Sequence, residues 1–281
     1  MNRSEGNFRR RWSNRLMLVI CGCAAAITIA FLALILGYTI INGVTYFNLD
    51  FLTQSAKPVG ETGGGMREDI FGTFILVGIA SVIALPVGLM AGIFLSEVAG
   101  PKAASVIRFS ADILAGVPSI IVGVFAYALL VRPMHSYSAL SAGVALALIM
   151  IPVVARTAEE AMRLVPNSQR EAALALGISK WRMILGVIMP GATTGIVTGV
   201  MLAVARVAGE TAPLIFTALG SAFGVQGLTE PIGALPLQIY RYALSPYSDW
   251  QKQAWAAAFL LVILVLGINI VVRLVSYRKK Q

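Results

Sequence analysis

Long apolar segments recur along this chain, and they constrain its fold more than any other feature. A helix needs about 20 consecutive apolar residues to cross the hydrocarbon core of a bilayer. Six stretches fit this requirement, at 16–41, 70–95, 110–131, 139–155, 187–208 and 253–274. Only 12% of the residues are charged, against about 25% in an average soluble domain. The sequence therefore predicts an all-α polytopic membrane protein with six transmembrane helices.

The basic residues predict the orientation of these spans. Lys and Arg are enriched in the cytoplasmic connections of membrane proteins. The more basic set of connections contains Arg3, Arg9, Arg10, Arg11, Arg15, Lys102, Arg108, Arg156, Arg163, Arg170, Lys180, Arg182, Arg273, Arg278, Lys279 and Lys280. The opposite set contains Lys57, Arg67, Arg132, Arg241 and Lys252. Both termini are therefore expected in the cytoplasm, and the net charge of +9 reflects membrane orientation rather than binding of nucleic acid.

The predicted topology divides the chain into three parts. Residues 1–15 form a basic cytoplasmic N-terminus, and residues 16–69 contain the first span and an external loop. The first span exceeds the apolar core of a signal peptide, which has about 7–15 residues, so it is interpreted as a retained anchor. Three glycines at 63–65 indicate that the external loop is mobile. Residues 70–281 form the main transmembrane domain, with a cytoplasmic connection at 156–186.

The cytoplasmic connection contains a short helix with clear boundary signals. Ser168 and Glu171 are spaced as a capping box, in which each side chain bonds the other residue's backbone N–H. The helix is predicted at about 169–176. It ends at Gly177, because glycine best tolerates the left-handed conformation that closes a helix. This pattern predicts a rigid, well-capped element on the cytoplasmic surface.

A second helix follows this closing glycine directly. Ser179 is placed to cap it, and Lys180 begins a segment that continues into the fifth apolar span. The chain therefore forms a short helix, a sharp elbow and a return to the membrane. We interpret this elbow, residues 168–190, as a docking device for a partner on another chain.

The chain lacks the motifs of an enzyme. No Lys follows a Gly anywhere, so the sequence contains no GxxxxGK phosphate loop for ATP. The single histidine, His135, has no neighbouring metal ligands, and no Cys or His cluster is spaced to hold a metal. No serine or cysteine has an obvious base partner. Energy for any active process is therefore expected to come from another chain.

Two charges in the fifth span indicate a functional path. Arg206 lies inside the span, and Glu210 follows one helical turn later on the same face. Ionisable groups within a membrane are costly unless paired or hydrated, so they usually mark functional sites. Pro213 removes a helical hydrogen bond just after Thr211. The segment is predicted to be a broken helix on a substrate pathway, and a structural ion pair that locks two helices is the alternative.

The third span carries another proline and a charge. Pro118 is predicted to kink this helix just before Ser119. Asp112 is expected to cap a helix or to pair with Arg108 one turn earlier. Both a structural role and a pathway role remain open for this region.

Charged pairs also precede the elbow. Glu159 and Arg163 have the i, i+4 order that favours a salt bridge, whereas Arg156 and Glu160 have the weaker reverse order. We interpret these residues as a solvated helix face and assign them no function.

The elbow also resembles a known family signature. Glu171, Ala172 and Ala173, followed by Gly177, resemble the EAA loop of ABC importer permeases. Segments 114–125, 170–181 and 198–218 narrow the resemblance to the PstA-type permease family of the bacterial phosphate importer. The Gly-Glu-Thr-Ala-Pro run within the last segment is the most discriminating part. The resemblance covers the chain from about residue 70 onward.

The resemblance implies a type I ABC importer permease fold, also called MetI-like, in the bacterial cytoplasmic membrane. It implies pairing with a PstC-type permease, two PstB-type ATPases and a PstS-type phosphate-binding protein. ATP and Mg²⁺ would bind the ATPases, and no cofactor is expected on this chain. Phosphate would cross by alternating access. Permeases for sulfate or molybdate, and a membrane signalling or scaffold subunit, are the alternatives.

The candidate site residues fall into two groups. The expected substrate pathway contains Arg206, Glu210, Thr211 and Ser119. The residues expected to couple the chain to an ATPase are Glu171, Ala172, Ala173, Leu174, Gly177 and Ile178. Within the second group, Leu174 and Ile178, together with Leu176, are expected to be exposed and to fill a cleft on the ATPase.

Overall fold

A computed structural model describes residues 3–61, 63–221 and 224–278. Within these ranges the regular elements are helical, apart from an isolated parallel bridge between Leu219 and Ile232. The helices are α1 (Arg3–Val44), α2 (Leu49–Thr53), α3 (Arg67–Ile93), α4 (Pro101–Gly116), α5 (Ser119–Ala126), α6 (Arg132–Met134), α7 (Ala139–Arg163), α8 (Asn167–Ala175), α9 (Lys180–Met183), α10 (Met189–Ala208), α11 (Ala212–Thr217), α12 (Leu235–Ala243) and α13 (Ser248–Arg278). Short π-helical turns continue α3, α5 and α9.

Five helices of the described chain are long and apolar enough to cross a membrane without a break. They are Trp12–Val44, Arg67–Val98, Ala139–Arg163, Lys180–Ala208 and Ser248–Ile270. The fourth predicted span is longer than the sequence indicates, since α7 continues to Arg163. The fifth begins at Lys180, which confirms that the elbow runs directly into the membrane helix.

The predicted third span is not one helix. Pro101–Gly116 and Ser119–Met134 meet at an angle of 97°. Val117 lies between them in an extended conformation (φ −66°, ψ 130°), as expected for a residue before proline. Pro118 therefore breaks the span rather than kinking it, and the prediction of a continuous helix over 110–131 is wrong.

Small residues allow the central helices to pack closely. On α3, a Cβ at Gly88 would lie 2.8 Å from the Val154 side chain, and one at Gly92 would lie 2.7 Å from Ala158 Cβ. On α10, Gly199 packs equally tightly against Thr157. Glycine and alanine let backbones approach where lipid supplies no hydrophobic drive. Helix α7 is consequently the centre of the fold, with α3 and α10 on its flanks.

Helix α1 stands apart from this core. Its most apolar stretch is entirely unburied by the rest of the described chain. It meets α13 near its C-terminal end, where Gly43 contacts Phe259 and Tyr38 packs edge-on against Trp255 with ring centroids 5.1 Å apart. The first span is therefore attached at one end only.

The connections after α1 and after α11 are partly folded. The first contains α2, and it buries Phe51 and Met66. This region is more structured than its glycines suggest. The second contains α12, whose Leu235 N–H bonds to the Thr73 hydroxyl of α3 at 2.8 Å. Of the cations that predict the orientation, Lys279 and Lys280 lie outside the described residues, as do the side chains of Arg3, Arg9, Arg11, Arg273 and Arg278.

Candidate functional site

The elbow helix α8 begins earlier than its sequence suggests. Pro166 occupies the N-cap position, and no side chain caps the helix. Ser168 lies inside the first turn, where its side chain is no longer placed to bond the backbone of Glu171. The predicted capping box is therefore wrong. Pro166 ends the preceding segment and starts the helix, so the Ser168 hydroxyl lies two residues past the N-cap position.

The end of α8 agrees with the prediction. Gly177 has φ +73°, the left-handed conformation that favours glycine. Its N–H donates to the Leu174 carbonyl at 3.0 Å, and the Ile178 N–H donates to the Ala173 carbonyl at 3.2 Å. These two bonds form a Schellman closure. The elbow is thus a fixed turn rather than a loose connection.

The return helix starts at the expected position. Ser179 is the N-cap of α9, although its side chain accepts no cap hydrogen bond in the described chain. Its carbonyl accepts from the Met183 N–H at 2.9 Å. The helix then runs through a π-helical turn, Ile184–Ile188, into α10. One continuous rod therefore joins the elbow to the Arg206 region.

The expected coupling residues separate into an outer and an inner set. Glu171, Ala172 and Leu174 are exposed, as is Gly177. Ala173 is buried in an apolar cluster, and Ile178 packs against the same cluster. The expectation that Ile178 is exposed is therefore wrong.

Other apolar side chains supply the exposed surface of the elbow. Leu176 is 80% exposed, and Leu164 and Trp181 are also exposed. Leu174, Leu176 and Trp181 therefore give the elbow exposed apolar side chains, and Leu164 lies just before it. Leu164 was not indicated by the sequence, because it lies before the proline that starts α8.

Arg206 and Glu210 lie close together, as the sequence predicts. Arg206 occupies the last turn of α10, and Glu210 lies beyond the helix end at Ala208. Arg206 Nε and Glu210 Oε1 are 3.7 Å apart, and the side chains are 46% and 18% exposed. This separation is longer than a hydrogen bond. The pair is therefore loose, with the guanidinium open to the surroundings.

The other two pathway candidates flank this pair less directly. Thr211 begins the next turn, and its hydroxyl lies 3.5 Å from the Pro236 carbonyl oxygen. Ser119 is the first residue of α5. Helix α5 packs on α11, since a Cβ at Gly123 would lie 2.6 Å from Pro213 Cα. No hydrogen bond or ion pair joins Ser119 to Arg206 or Glu210 in residues 3–61, 63–221 and 224–278.

Comparison with known proteins identifies the family. The sequence model of the family described as "Binding-protein-dependent transport system inner membrane component" matches residues 84–281. The phosphate transport system permease protein PstA of Yersinia pestis is 43% identical over 274 residues, with 97% of this chain and 92% of that protein covered. This chain belongs to the PstA permease family. The PstA protein of Haemophilus influenzae is also 43% identical, with 96% of each chain covered.

Solved structures place the PstA-family chain in a known fold. The inward-facing MetNI methionine ABC transporter matches with a TM-score of 0.59 and 24% identity, covering 76% of this chain and 94% of that one. An amino acid ABC transporter with histidines matches with a TM-score of 0.57 and 20% identity, covering 75% and 92%. The fold is therefore that of ABC importer permeases, as the elbow signature implies. The chain is a membrane permease subunit.

The PstA-family chain also contains a charge cluster, of which the sequence predicted only the Glu159–Arg163 pair. The Glu159 side chain is 1% exposed, and three arginines contact it. The distances are 2.7 Å from Arg108 Nε to Oε1, 3.1 Å from Arg163 Nε to Oε1 and 3.0 Å from Arg156 Nη1 to Oε2. The interpretation of this helix face as solvated is wrong for Glu159, because α4 packs across it, whereas the Arg163 side chain is 51% exposed.

Asp112 joins the same cluster from α4. Its Oδ1 lies 3.2 Å from Arg156 Nε, whereas Arg108 is directed to Glu159. The predicted Asp112–Arg108 pair is therefore wrong. Arginines beside the ends of two separate spans were the available signal, but their partner could not be chosen without knowing how α4 and α7 pack.

Proposed function

We propose that this chain translocates inorganic phosphate across the bacterial cytoplasmic membrane as a permease subunit of an ATP-driven importer. Similarity to PstA permeases of phosphate transport systems over nearly the whole chain carries the proposal. The loosely paired Arg206 supports it, because a guanidinium offers a planar fork of N–H donors that matches phosphate oxygens. The position of Arg206 inside an apolar span indicates the same residue.

Arg206 is proposed as the phosphate contact in the pathway. Glu210 would hold the rotamer of Arg206. It would leave guanidinium N–H donors available to phosphate, since Arg206 Nε and Glu210 Oε1 are farther apart than a hydrogen bond. Thr211 and Ser119 would add hydroxyl donors to the same path. The break between α10 and α11 favours this role, because irregular backbone at membrane depth is tolerated where it faces protein or water.

The elbow is proposed as the ATPase docking element. Glu171, Ala172 and Leu174 would meet the partner directly, and the Gly177 turn would present them. Ala173 and Ile178 would act from inside by fixing the shape of the elbow. An apolar outer face on a rigid helix is suited to fill a cleft on another protein.

The proposed assembly contains a PstC-type permease, two PstB-type ATPases and a PstS-type phosphate-binding protein. The proposal places ATP and Mg²⁺ on the ATPases and no cofactor on this chain. Both termini and the connection at 156–186 would face the cytoplasm. This orientation rests on the distribution of Lys and Arg between the two sets of connections.

Transport would proceed by alternating access. ATP binding would close the ATPase pair and draw the elbows together, and hydrolysis would reset them. The helix from Lys180 to Ala208 is unbroken, and its 29 residues give a rod of about 43 Å. Because Arg206 lies at its far end, the rod can carry movement of the elbow to the phosphate contact.

The proposal predicts that Arg206→Gln strongly impairs transport without preventing assembly. The complete complex is reconstituted into liposomes, and ATP-driven uptake of radiolabelled phosphate is measured. Loss of charge-assisted hydrogen bonds to the anion is expected to lower uptake by about tenfold or more. Arg132→Gln is the matched control, because Arg132 is an exposed arginine with no ion pair in the described chain.

Two outcomes would contradict this assignment. Uptake by Arg206→Gln at the level of Arg132→Gln would show that Arg206 is structural only. Uptake of sulfate or molybdate in preference to phosphate by the unaltered complex would assign the permease to another oxyanion.

A further inference from the structure

A buried ion pair joins the elbow to the end of an earlier span. Arg170 lies near the start of α8, and Glu97 lies in the π-helical turn Phe94–Val98 that ends α3. Arg170 Nη2 donates to Glu97 Oε1 at 2.8 Å, and Nε donates to Oε2 at 3.3 Å. The side chains are 17% and 5% exposed. Such two-point pairing fixes the geometry of both partners.

The same guanidinium also holds the end of α7. Nη2 donates to the Met162 carbonyl at 2.8 Å, and Nη1 donates to the Val165 carbonyl. Nη1 also donates to Asn167 Oδ1 at 3.3 Å. One side chain therefore connects α3, α7 and the elbow helix. Ser96 donates its hydroxyl to the same carboxylate oxygen, Glu97 Oε1, at 2.8 Å and helps to fix the carboxylate.

The helices that Arg170 connects already form a closely packed unit. Gly88 and Gly92 bring α3 against α7, so the two spans have little freedom to slide. Beneath the ion pair, Ala173 of the elbow is buried among Met162 and Ile184. The elbow is therefore fastened to this unit by apolar packing and by a charged pair that cannot rotate freely.

We propose that Glu97 and Arg170 are positioning residues for coupling, which make the elbow move as one body with the ends of α3 and α7. The inference rests on the proposed function, because it assumes that an ATPase moves the elbow. Movement of the outer face of α8 then reaches two spans directly, in addition to α10, which continues from the elbow. Without the pair, α8 pivots between Pro166 and Gly177, and its movement no longer reaches the ends of α3 and α7.

The proposal is tested by the ratio of phosphate transported to ATP hydrolysed in the reconstituted complete complex. Arg170→Gln and Glu97→Gln are compared with Glu160→Gln, an exposed carboxylate on α7 with no ion pair in the described residues. Both pair variants are expected to bind the ATPase and to hydrolyse ATP within about twofold of the unaltered rate. Their phosphate-to-ATP ratio is expected to fall about tenfold, since a charge-assisted hydrogen bond is lost. Glu160→Gln is expected to retain the ratio.

Arg170→Lys adds a finer comparison. Lysine keeps the charge but not the planar fork, so it cannot contact Glu97 at two points. We expect its ratio to fall as well, because orientation rather than charge is the property required. Recovery of the full ratio by Arg170→Lys would contradict a positioning role.

Failure of this inference is distinguishable from failure of the proposed function. An unaltered complex that takes up no phosphate overturns the proposed function and this inference with it. An active unaltered complex alongside unchanged ratios in both pair variants overturns the positioning role alone. If Arg170→Gln does not assemble, Glu97→Gln decides the outcome, because it leaves the carbonyl contacts of Arg170 in place. Failure of both variants to bind the ATPase assigns the pair to folding only and overturns the proposal.

Discussion

Glu159 holds α4 against α7 through a single carboxylate. Arg108 contacts it from α4, and Arg156 and Arg163 contact it from α7, the helix that carries Glu159. A buried charge is tolerated only when paired, and here three cations surround one anion, with Asp112 contacting Arg156 from the side. Removing the carboxylate would leave the guanidiniums close together without their counter-ion.

Glu159→Ala is therefore expected to destabilise the chain strongly. Breaking a buried ion pair costs about 3–5 kcal/mol, which appears as a lower thermal unfolding midpoint of the purified protein in detergent. Glu160→Ala is the adjacent control, and an exposed substitution changes stability by about 0.5 kcal/mol at most. Equal midpoints for the two variants would show that the arginines find other partners.

Local pairs could be predicted at the residue scale, and distant ones could not. The Arg206–Glu210 contact follows from i, i+4 spacing, and the sequence predicted it. The Glu159–Arg163 contact follows from the same spacing and is confirmed, but Arg108 lies 51 positions from Glu159, and the Glu97–Arg170 pair spans 73 positions. Spacing along one helix carries no information about either contact, because the relative placement of two helices is set by packing.

At the scale of elements, the bent pair α4 and α5 depends on close contact with α11. Pro118 breaks the span, but the 97° angle is supported by Gly123, whose Cα faces the backbone of Pro213. A proline alone removes hydrogen bonds and does not fix a direction. The packing of α5 on α11 therefore selects the angle, and it also borders the loop that carries Glu210 and Thr211.

Gly123→Ala is expected to disturb this packing. The added Cβ would lie 2.6 Å from Pro213 Cα, a backbone atom that cannot rotate away. Forced overpacking costs about 1–3 kcal/mol, so both the unfolding midpoint and phosphate uptake should fall. Gly116→Ala is the matched control on α4, where an added Cβ meets nothing within 4 Å. Normal uptake by Gly123→Ala would show that α5 can shift without affecting the pathway.

The C-terminal end of α8 was predicted correctly and its N-terminal end was not, and Pro166 explains the difference. Gly177 closes α8 through backbone geometry that few other residues adopt, so the sequence identified it correctly. The Ser168–Glu171 capping box is a pattern of side chains that requires the helix to start at one position. Pro166 starts the helix earlier, and the pattern then has no structural effect. At Pro118, likewise, the sequence predicted a kink but not the 97° break between α4 and α5.

At the scale of the whole molecule, hydropathy was sufficient to find the spans but not their arrangement. The six apolar segments correspond to five unbroken helices and one bent pair. Nothing in the composition of α1 showed that it would pack against α13 near Gly43. An isolated apolar helix satisfies its backbone internally, so its position depends on lipid or on another subunit rather than on its own sequence.

Orientation is a property of the whole molecule, and it decides whether the elbow can meet an ATPase. Exposed Ser168 in the elbow and exposed Glu61 in the first loop should lie on opposite sides of the membrane. Ser168→Cys and Glu61→Cys are introduced separately after Cys21→Ala and Cys23→Ala remove the native thiols. In intact spheroplasts, an impermeant maleimide should label Glu61→Cys at once and Ser168→Cys only after permeabilisation. The reverse pattern would place the elbow outside, where no ATP is available to drive it.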